Sequence, residues 1–141
     1  MTDLAGAIRG ERRALVDFLE TVGPDEWATP SLCDGWTVQD VAAHVASAPA
    51  LTMSETLLDM ARAGFRPNAF TAGSARRWAR RGPAAILDQL RTNAENGAKP
   101  LGVPPVAALV DAVVHQLDIR RPLGSSRPVP EPDPEPASDP F

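Results

Sequence analysis

The sequence feature that most constrains the fold is the run of residues 106–119. This stretch is largely apolar, contains neither glycine nor proline, and directly follows Pro104-Pro105. Proline is tolerated at the first positions of a helix because the N–H group that it lacks has no partner there. The run therefore predicts a helix over about residues 105–120. Asp111 and His115 lie four residues apart, so their side chains share one face of this helix.

A carboxylate and an imidazole at this spacing can bind one cation. The other histidine of the chain, His44, lies in a second helical pattern. If the two helices pack together, three N and O ligands converge, a set that suits Zn²⁺ with a fourth position open. The alternative is a surface pair, or a core histidine with hydrogen-bond partners. Both histidines have alanine and valine neighbours, and an unpaired buried polar group costs a few kcal/mol, so each needs a partner.

The composition indicates a single ordinary globular domain. The 141 residues are 43% hydrophobic and 23% charged, with a net charge of −4. The segment after Gly124 carries a net −3, so the rest of the chain is near −1, which argues against nucleic-acid binding. A single cysteine, Cys33, excludes an intramolecular disulfide. The N-terminus has no signal-peptide pattern and no apolar run is long enough for a membrane span, which favours the cytoplasm and no membrane partner.

Four amphipathic patterns predict an all-α, antiparallel four-helix bundle. The first covers residues 3–22, and Arg12 is among the charged residues expected mostly off its apolar stripe. The second covers residues 37–64, starts with a capping-box-like pair of Thr37 and Asp40, and should kink or split near Ala48 because of Pro49. The third is residues 83–96, ended by Gly97, and the fourth is residues 105–120. Residues 65–71 are expected to be a loop.

Two segments have unusual composition. Residues 74–81 carry Arg76, Arg77, Arg80 and Arg81 around Trp78, which fits either a site for an acidic ligand or a solvated face with one packed ring. Residues 125–141 contain six prolines and few apolar residues, which is typical of an extended tail or linker. We therefore expect a bundle domain at residues 1–124, and a tail at 125–141 that makes few contacts with it.

Two motifs resemble the mycothiol-dependent maleylpyruvate isomerase family, part of the wider DinB/YfiT-like group of metal-binding four-helix bundles. Residues 30–44 read PSLCDGWTVQDVAAH, similar to the motif around the first metal histidine of that family. Residues 113–124 read VVHQLDIRRPLG, similar to its second motif. The resemblance spans about residues 4–124 and implies a divalent metal site at His44, Asp111 and His115. The family often has glutamate where this chain has Asp111, whose side chain is one methylene shorter.

The resemblance also implies a chemistry, namely transfer of a low-molecular-weight thiol such as mycothiol, or thiol-assisted isomerisation of a small electrophile. A bound Zn²⁺ or similar cation would hold the thiolate, which is the nucleophilic form. Arg120 and Arg121 are then candidates to bind substrate carboxylates. Alternatively, they are cations that favour the dipole at a helix C-terminus. Cys33 matches a cysteine of the family motif and is either a reactive thiol or a small packing residue.

Three hypotheses about function follow. The first is a metal- and thiol-dependent transferase or isomerase, acting on a small-molecule electrophile. The second is a non-catalytic metal-binding or stress-related protein with the same fold. The third, disfavoured by the acidic balance, is a nucleic-acid module that uses residues 74–81. Enzymes of this family carry a further C-terminal domain, whereas this sequence ends in the proline-rich segment, so maleylpyruvate is not carried over as the substrate. A homodimer is left open.

Overall fold

The computed structural model describes residues 3–97 and 103–124, and these residues form six α-helices. The helices are α1 Leu4–Leu19, α2 Val38–Ser47, α3 Met53–Arg62, α4 Pro67–Ala79, α5 Pro83–Asn96 and α6 Pro105–Arg120. The only β pairing within these residues is an isolated bridge between Pro30 and Thr37. The predicted all-α fold is confirmed.

Four of the helices enclose the core. Helices α1 and α2 each pack against both α5 and α6, so α1 and α2 stand at opposite corners of the bundle. Helix α4 packs on the outside of α2, and α3 packs on α4. The core side chains are apolar and come from all four bundle helices, and they include Leu15, Leu19, Val38, Val41, Ile86, Leu90 and Ile119. Burial of this apolar surface is the main driving force for the fold.

The predicted start of α2 is confirmed, and of the two effects expected from Pro49, a kink or a split near Ala48, the structure shows the split. Thr37 accepts a hydrogen bond from the Asp40 N–H, and the Asp40 side chain accepts one from the Thr37 N–H, which completes a capping box. The α-helix ends at Ser47, a short 3₁₀ turn containing Pro49 follows, and α3 begins at Met53. Proline cannot donate the backbone hydrogen bond that a continuous helix requires, so the chain changes direction here.

The expected loop at residues 65–71 is wrong, because α4 begins at Pro67. Proline occupies the first helical turn, where it is tolerated. The apolar pattern of this helix is weak, since Gly73 lies within it and its fully buried side chains are as small as Ala75. Small side chains allow α4 to lie close to α2, so tertiary packing decides this helix more than local pattern does.

The expectation that Arg12 lies mostly off the buried stripe of α1 is also wrong. Arg12 is 7% exposed and Glu11 is 4% exposed. The buried face of α1 is wider than an apolar stripe because the helix contacts α5 and α6 at once. Both charged side chains are therefore drawn into the bundle.

Two other expectations concern the proline-rich segment and the absence of a membrane-spanning helix. The predicted tail at residues 125–141 lies outside the described residues. Within the described residues, no helix combines the length and the apolar character that crossing a bilayer requires.

Candidate metal centre

His44, Asp111 and His115 come together at the junction of α2 and α6. The two imidazole rings have centroids 5.0 Å apart and are nearly perpendicular. His115 Nε2 lies 3.0 Å from Asp111 Oδ1, as expected for residues four apart on a helix. One ligand atom from each of the three residues lies within 4.8 Å of the other two. Three ligand atoms this close can reach a single divalent cation after small side-chain adjustments.

A fourth residue, Asp118, orients the cluster and was missed by the sequence reasoning. Its Oδ2 lies 3.2 Å from His115 Nδ1, so the two ring nitrogens of His115 face two different carboxylates. A carboxylate that accepts from one nitrogen of a histidine fixes the ring and its tautomer for a ligand at the other nitrogen. The signal was the spacing of three residues after His115, which places Asp118 on the same face of α6.

The surroundings favour the ligating protonation states of His44 and Asp111, whereas the two carboxylates beside His115 favour its protonated form, which must lose a proton to bind a metal. Burial, helped by the nearby His115, holds the pKa of His44 below its usual value against the opposing charge of Asp111. Burial acts to raise the pKa of Asp111, but the hydrogen bond to His115 and the nearby positive charges bring the pKa below its ordinary value. Burial also acts to lower the pKa of His115, and its bonds to the two carboxylates reverse this and raise it. A neutral His44 and an ionised Asp111 are the ligating forms.

The imidazole nitrogens of His44 are uncommitted. Within the described part of the chain, no side chain or backbone group forms a hydrogen bond with this ring. Its contacts are edge-on to Trp36, at a centroid distance of 5.8 Å, and edge-on to His115. A neutral imidazole held in place by aromatic packing has one ring nitrogen with a free lone pair, which suits it to bind an external cation or donor.

Two cavities open beside His44. The larger has a volume of about 420 Å³ and lies between α1, α2, α4 and α6, with Asp111 and Arg12 in its wall. The smaller, about 120 Å³, lies towards α4 and includes Ser74. Both share Phe70 and are mainly apolar in their lining. Arg12 was not among the predicted site residues, and only its place in a wide buried face could have indicated it.

Cys33 lies beside Asp118 instead of pointing into either cavity described above. Its Sγ donates to Asp118 Oδ2 at 3.2 Å, and the Leu32 N–H donates to the Asp118 backbone carbonyl. Burial, the hydrogen bond to Asp118 and the charge of that carboxylate raise the pKa of the Cys33 thiol to about 11, against the lowering effect of Ser31. The thiol thus favours its neutral form, and its contacts anchor the connector between α1 and α2 to α6.

The two arginines expected to bind substrate carboxylates lie near the C-terminus of α6. Arg120 is 9% exposed, donates from Nε to Gln116 Oε1 and from Nη2 to the Ala14 carbonyl, and stacks over Phe18. These partners belong to the interface between α6 and α1. Arg121 is exposed and caps the helix through its backbone N–H. Their predicted role towards substrate stays a prediction, and the contacts of Arg120 favour a packing role.

Two of the four arginines predicted around Trp78, Arg77 and Arg81, make contacts within the protein. Arg77 pairs with Asp59 of α3, a buried carboxylate that also accepts a hydrogen bond from Ser74. The Arg81 guanidinium lies 3.8 Å from the centroid of the Trp78 ring. The contacts of Asp59 link α3 to α4, the Arg81 contact is local to the end of α4, and both support the interpretation of a structural, partly solvated face.

The fold and the cluster define a class, an all-α bundle in which two histidines and a carboxylate from facing helices meet beside an apolar cavity. The chain belongs to the family of the mycothiol maleylpyruvate isomerase N-terminal domain, which matches residues 8–102. The predicted family is therefore confirmed. The matched residues include His44 and end before Asp111 and His115. No curated protein and no solved structure matches the chain.

Proposed function

We propose that His44, Asp111 and His115 bind Zn²⁺ or a similar divalent cation, and that the site uses a low-molecular-weight thiol such as mycothiol to act on a small electrophile. The observation that carries the proposal is the convergence of the three ligand atoms within 4.8 Å of one another. The family of the chain, named for a mycothiol maleylpyruvate isomerase, supports the thiol. A cation bound there would supply Lewis-acid stabilisation of a thiolate at neutral pH.

Residues around the proposed site have separate roles in orienting the ligands and balancing charge. Asp118 contacts the Nδ1 side of His115, so that Nε2 faces Asp111. Trp36 keeps the His44 ring in place by edge-on packing. Asp111 contributes the negative charge that offsets part of a cation's charge, and half of its side chain is exposed, so ligands can approach from the cavity side.

The two cavities beside His44 also support a reaction of two ligands. A thiol and an electrophile need separate space next to one centre, and the chain provides volumes of about 420 Å³ and 120 Å³. Their mainly apolar lining would strengthen electrostatic interactions with a bound charged group once a ligand displaces solvent from them. Transfer of the thiol and thiol-assisted isomerisation both begin with addition of sulfur to an electrophilic carbon, and both remain within this proposal.

The test is metal content followed by thiol binding. Protein purified without chelator should contain about one equivalent of a divalent metal by elemental analysis. Cobalt-substituted protein should develop a sulfur-to-metal charge-transfer band when mycothiol or 2-mercaptoethanol is added. The matched control is Asp34→Ala, which removes an exposed carboxylate from the connector and should change neither result.

Each negative result has a distinct meaning. Protein without metal, whose affinity for added Zn²⁺ is unchanged by His115→Ala, would overturn the proposed site. Protein that binds metal but gives no thiol band would leave a metal-binding bundle without thiol chemistry, which corresponds to a non-catalytic or stress-related protein.

A further inference from the structure

Arg12 is a buried cation with few partners. Its side chain projects from α1 into the bundle and the residue is 7% exposed. Within residues 3–97 and 103–124, its one hydrogen bond runs from Nη1 to the Asn93 backbone carbonyl at 3.0 Å. A guanidinium offers five N–H donors in a planar fork, and this bond uses only part of them. Neutral carbonyls do not balance its charge, so the group needs an anion.

The nearest candidate anion does not provide a close ion pair. Asp111 interacts electrostatically with Arg12, yet the two charged groups are not within ion-pair distance of 4.0 Å. The Asp111 carboxylate instead contacts His115. Arg12 lines the cavity with donors left over from its hydrogen bond to Asn93, while the Asp111 carboxylate contacts His115.

Arg12 and Asp111 line the same cavity of about 420 Å³. Its other walls are mainly apolar and include Val45, Phe70 and Ala108. A cavity with one guanidinium, a candidate metal cluster and apolar walls matches a small molecule that has an apolar body and one carboxylate. Arginine recognises such a group through two parallel N–H···O bonds, which fix its orientation.

We propose that Arg12 is the carboxylate anchor of this cavity and holds the anionic group of a ligand whose other end reaches the His44–Asp111–His115 cluster. The proposal rests on the proposed function for the identity of the reacting partners, but carboxylate binding itself needs no metal. The carboxylate belongs either to the electrophile or to the thiol.

The experiment is isothermal titration calorimetry with benzoate, and with benzamide as its neutral counterpart, on metal-free and on zinc-loaded protein. Wild-type protein should bind benzoate more tightly than benzamide in both forms. Arg12→Met should weaken benzoate about 10-fold to 100-fold, which corresponds to the loss of a charge-assisted hydrogen-bond pair. Arg12→Met should leave the benzamide affinity unchanged. The zinc affinity should be equal or higher, because the substitution removes a positive charge near Asp111.

Two further variants separate binding from folding. Arg13→Met removes the neighbouring exposed arginine and should leave benzoate binding unchanged. Arg12→Lys keeps the charge without the planar fork and should retain part of the preference for benzoate, which serves as the readout if Arg12→Met does not fold. Equal affinities for benzoate and benzamide, or equal losses of both in Arg12→Met, would overturn the proposal.

A pair of thiols identifies the source of the carboxylate in zinc-loaded protein. If Arg12→Met weakens mercaptoacetate but not 2-mercaptoethanol, the carboxylate of the thiol reaches Arg12. If the substitution weakens binding of benzoate but of neither thiol, Arg12 binds the carboxylate of the electrophile. Each of these two outcomes supports Arg12 as the carboxylate anchor. Failure of zinc binding would reject the proposed function alone, because the metal-free benzoate titration still decides the role of Arg12.

Discussion

Helix α6 carries polar side chains on two faces, and the two faces differ in how many of their polar atoms form hydrogen bonds. On the face towards α1, Gln116 donates to the Glu11 side chain and backbone and accepts from Arg120 Nε. On the face towards α2, Asp111 and His115 contact each other beside a His44 ring that forms no hydrogen bond within the described residues. The first face is a connected network, whereas the second leaves ligand atoms open.

The difference shows what each face contributes. A buried polar group with its hydrogen bonds made stabilises the packing of two helices, and one without them costs free energy. The α1–α6 network therefore acts as a structural contact. The α2–α6 cluster keeps uncommitted lone pairs in a half-buried position, an arrangement that is favourable only when an external partner binds.

The largest expected effect on folding comes from breaking the satisfied face. Gln116→Leu keeps the volume roughly constant but removes one hydrogen bond made by Arg120 Nε and one made by the Glu11 carboxylate. Losing hydrogen bonds to two buried charged side chains should lower the free energy of unfolding by about 3 kcal/mol. Urea denaturation measures this change. Gln89→Leu, which removes one neutral bond to Asn93, should cost only about 1 kcal/mol, and equal costs would contradict the comparison.

The open face should respond in metal affinity more than in folding. His44→Ala and His115→Ala should each weaken Zn²⁺ binding by at least about 100-fold, beyond the effect of changing an outer partner. Asp111→Ala should weaken it less, because a solvent oxygen can replace one carboxylate oxygen. Competition with a chromophoric chelator gives the affinities. In metal-free His44→Ala, a loss of unfolding free energy as large as that of Gln116→Leu would show that the face is structural.

A smaller change is expected from the residue that orients His115. Asp118→Asn keeps the shape of the side chain but removes the charge facing Nδ1, and should weaken Zn²⁺ binding about tenfold. The same chelator competition measures it. Asp88→Asn, at an exposed carboxylate of α5, is the control, and a full loss of binding in Asp118→Asn would instead make Asp118 a direct ligand.

The smallest expected effect concerns Cys33. With the pKa of its thiol raised to about 11 from an ordinary value of 9.0, alkylation by iodoacetamide at pH 7 should be about 100-fold slower than in the urea-unfolded chain. The rate should rise with pH until about 11. Because the pKa of the Cys33 thiol is higher in the folded than in the unfolded chain, the neutral thiol stabilises the fold below pH 9. This contribution is lost as the pH rises through about 11. Rapid alkylation at pH 7 would show a reactive thiol.

Much of the fold was predictable because the signals are local. Thr37 with Asp40 fixed the start of α2, and Pro49 marked its break. Gly97, with φ of 67°, ends α5 in the left-handed conformation that favours glycine. Helix α4 was not predicted, since its few buried residues are small and its packing depends on α2. The grouping of His44 with Asp111 and His115 could be predicted from spacing and family resemblance, and its function as a metal site stays a prediction.

By itself, the sequence determined the all-α class, the helical segments that enclose the core, the pair formed by Asp111 and His115, and the family of the chain. Three features were decided by the tertiary structure alone. Asp118 contacts Nδ1 of His115, the Cys33 thiol donates a hydrogen bond to the same carboxylate, and Arg12 lines a cavity beside the cluster. Periodicity and caps act within one helix, so they can be read along the chain. The hydrogen bonds and ligand contacts between α1, α2 and α6 join residues that are far apart in the chain, such as His44 with Asp111, 67 positions apart, and Glu11 with Gln116, 105 positions apart, and no local pattern specifies how they are brought together.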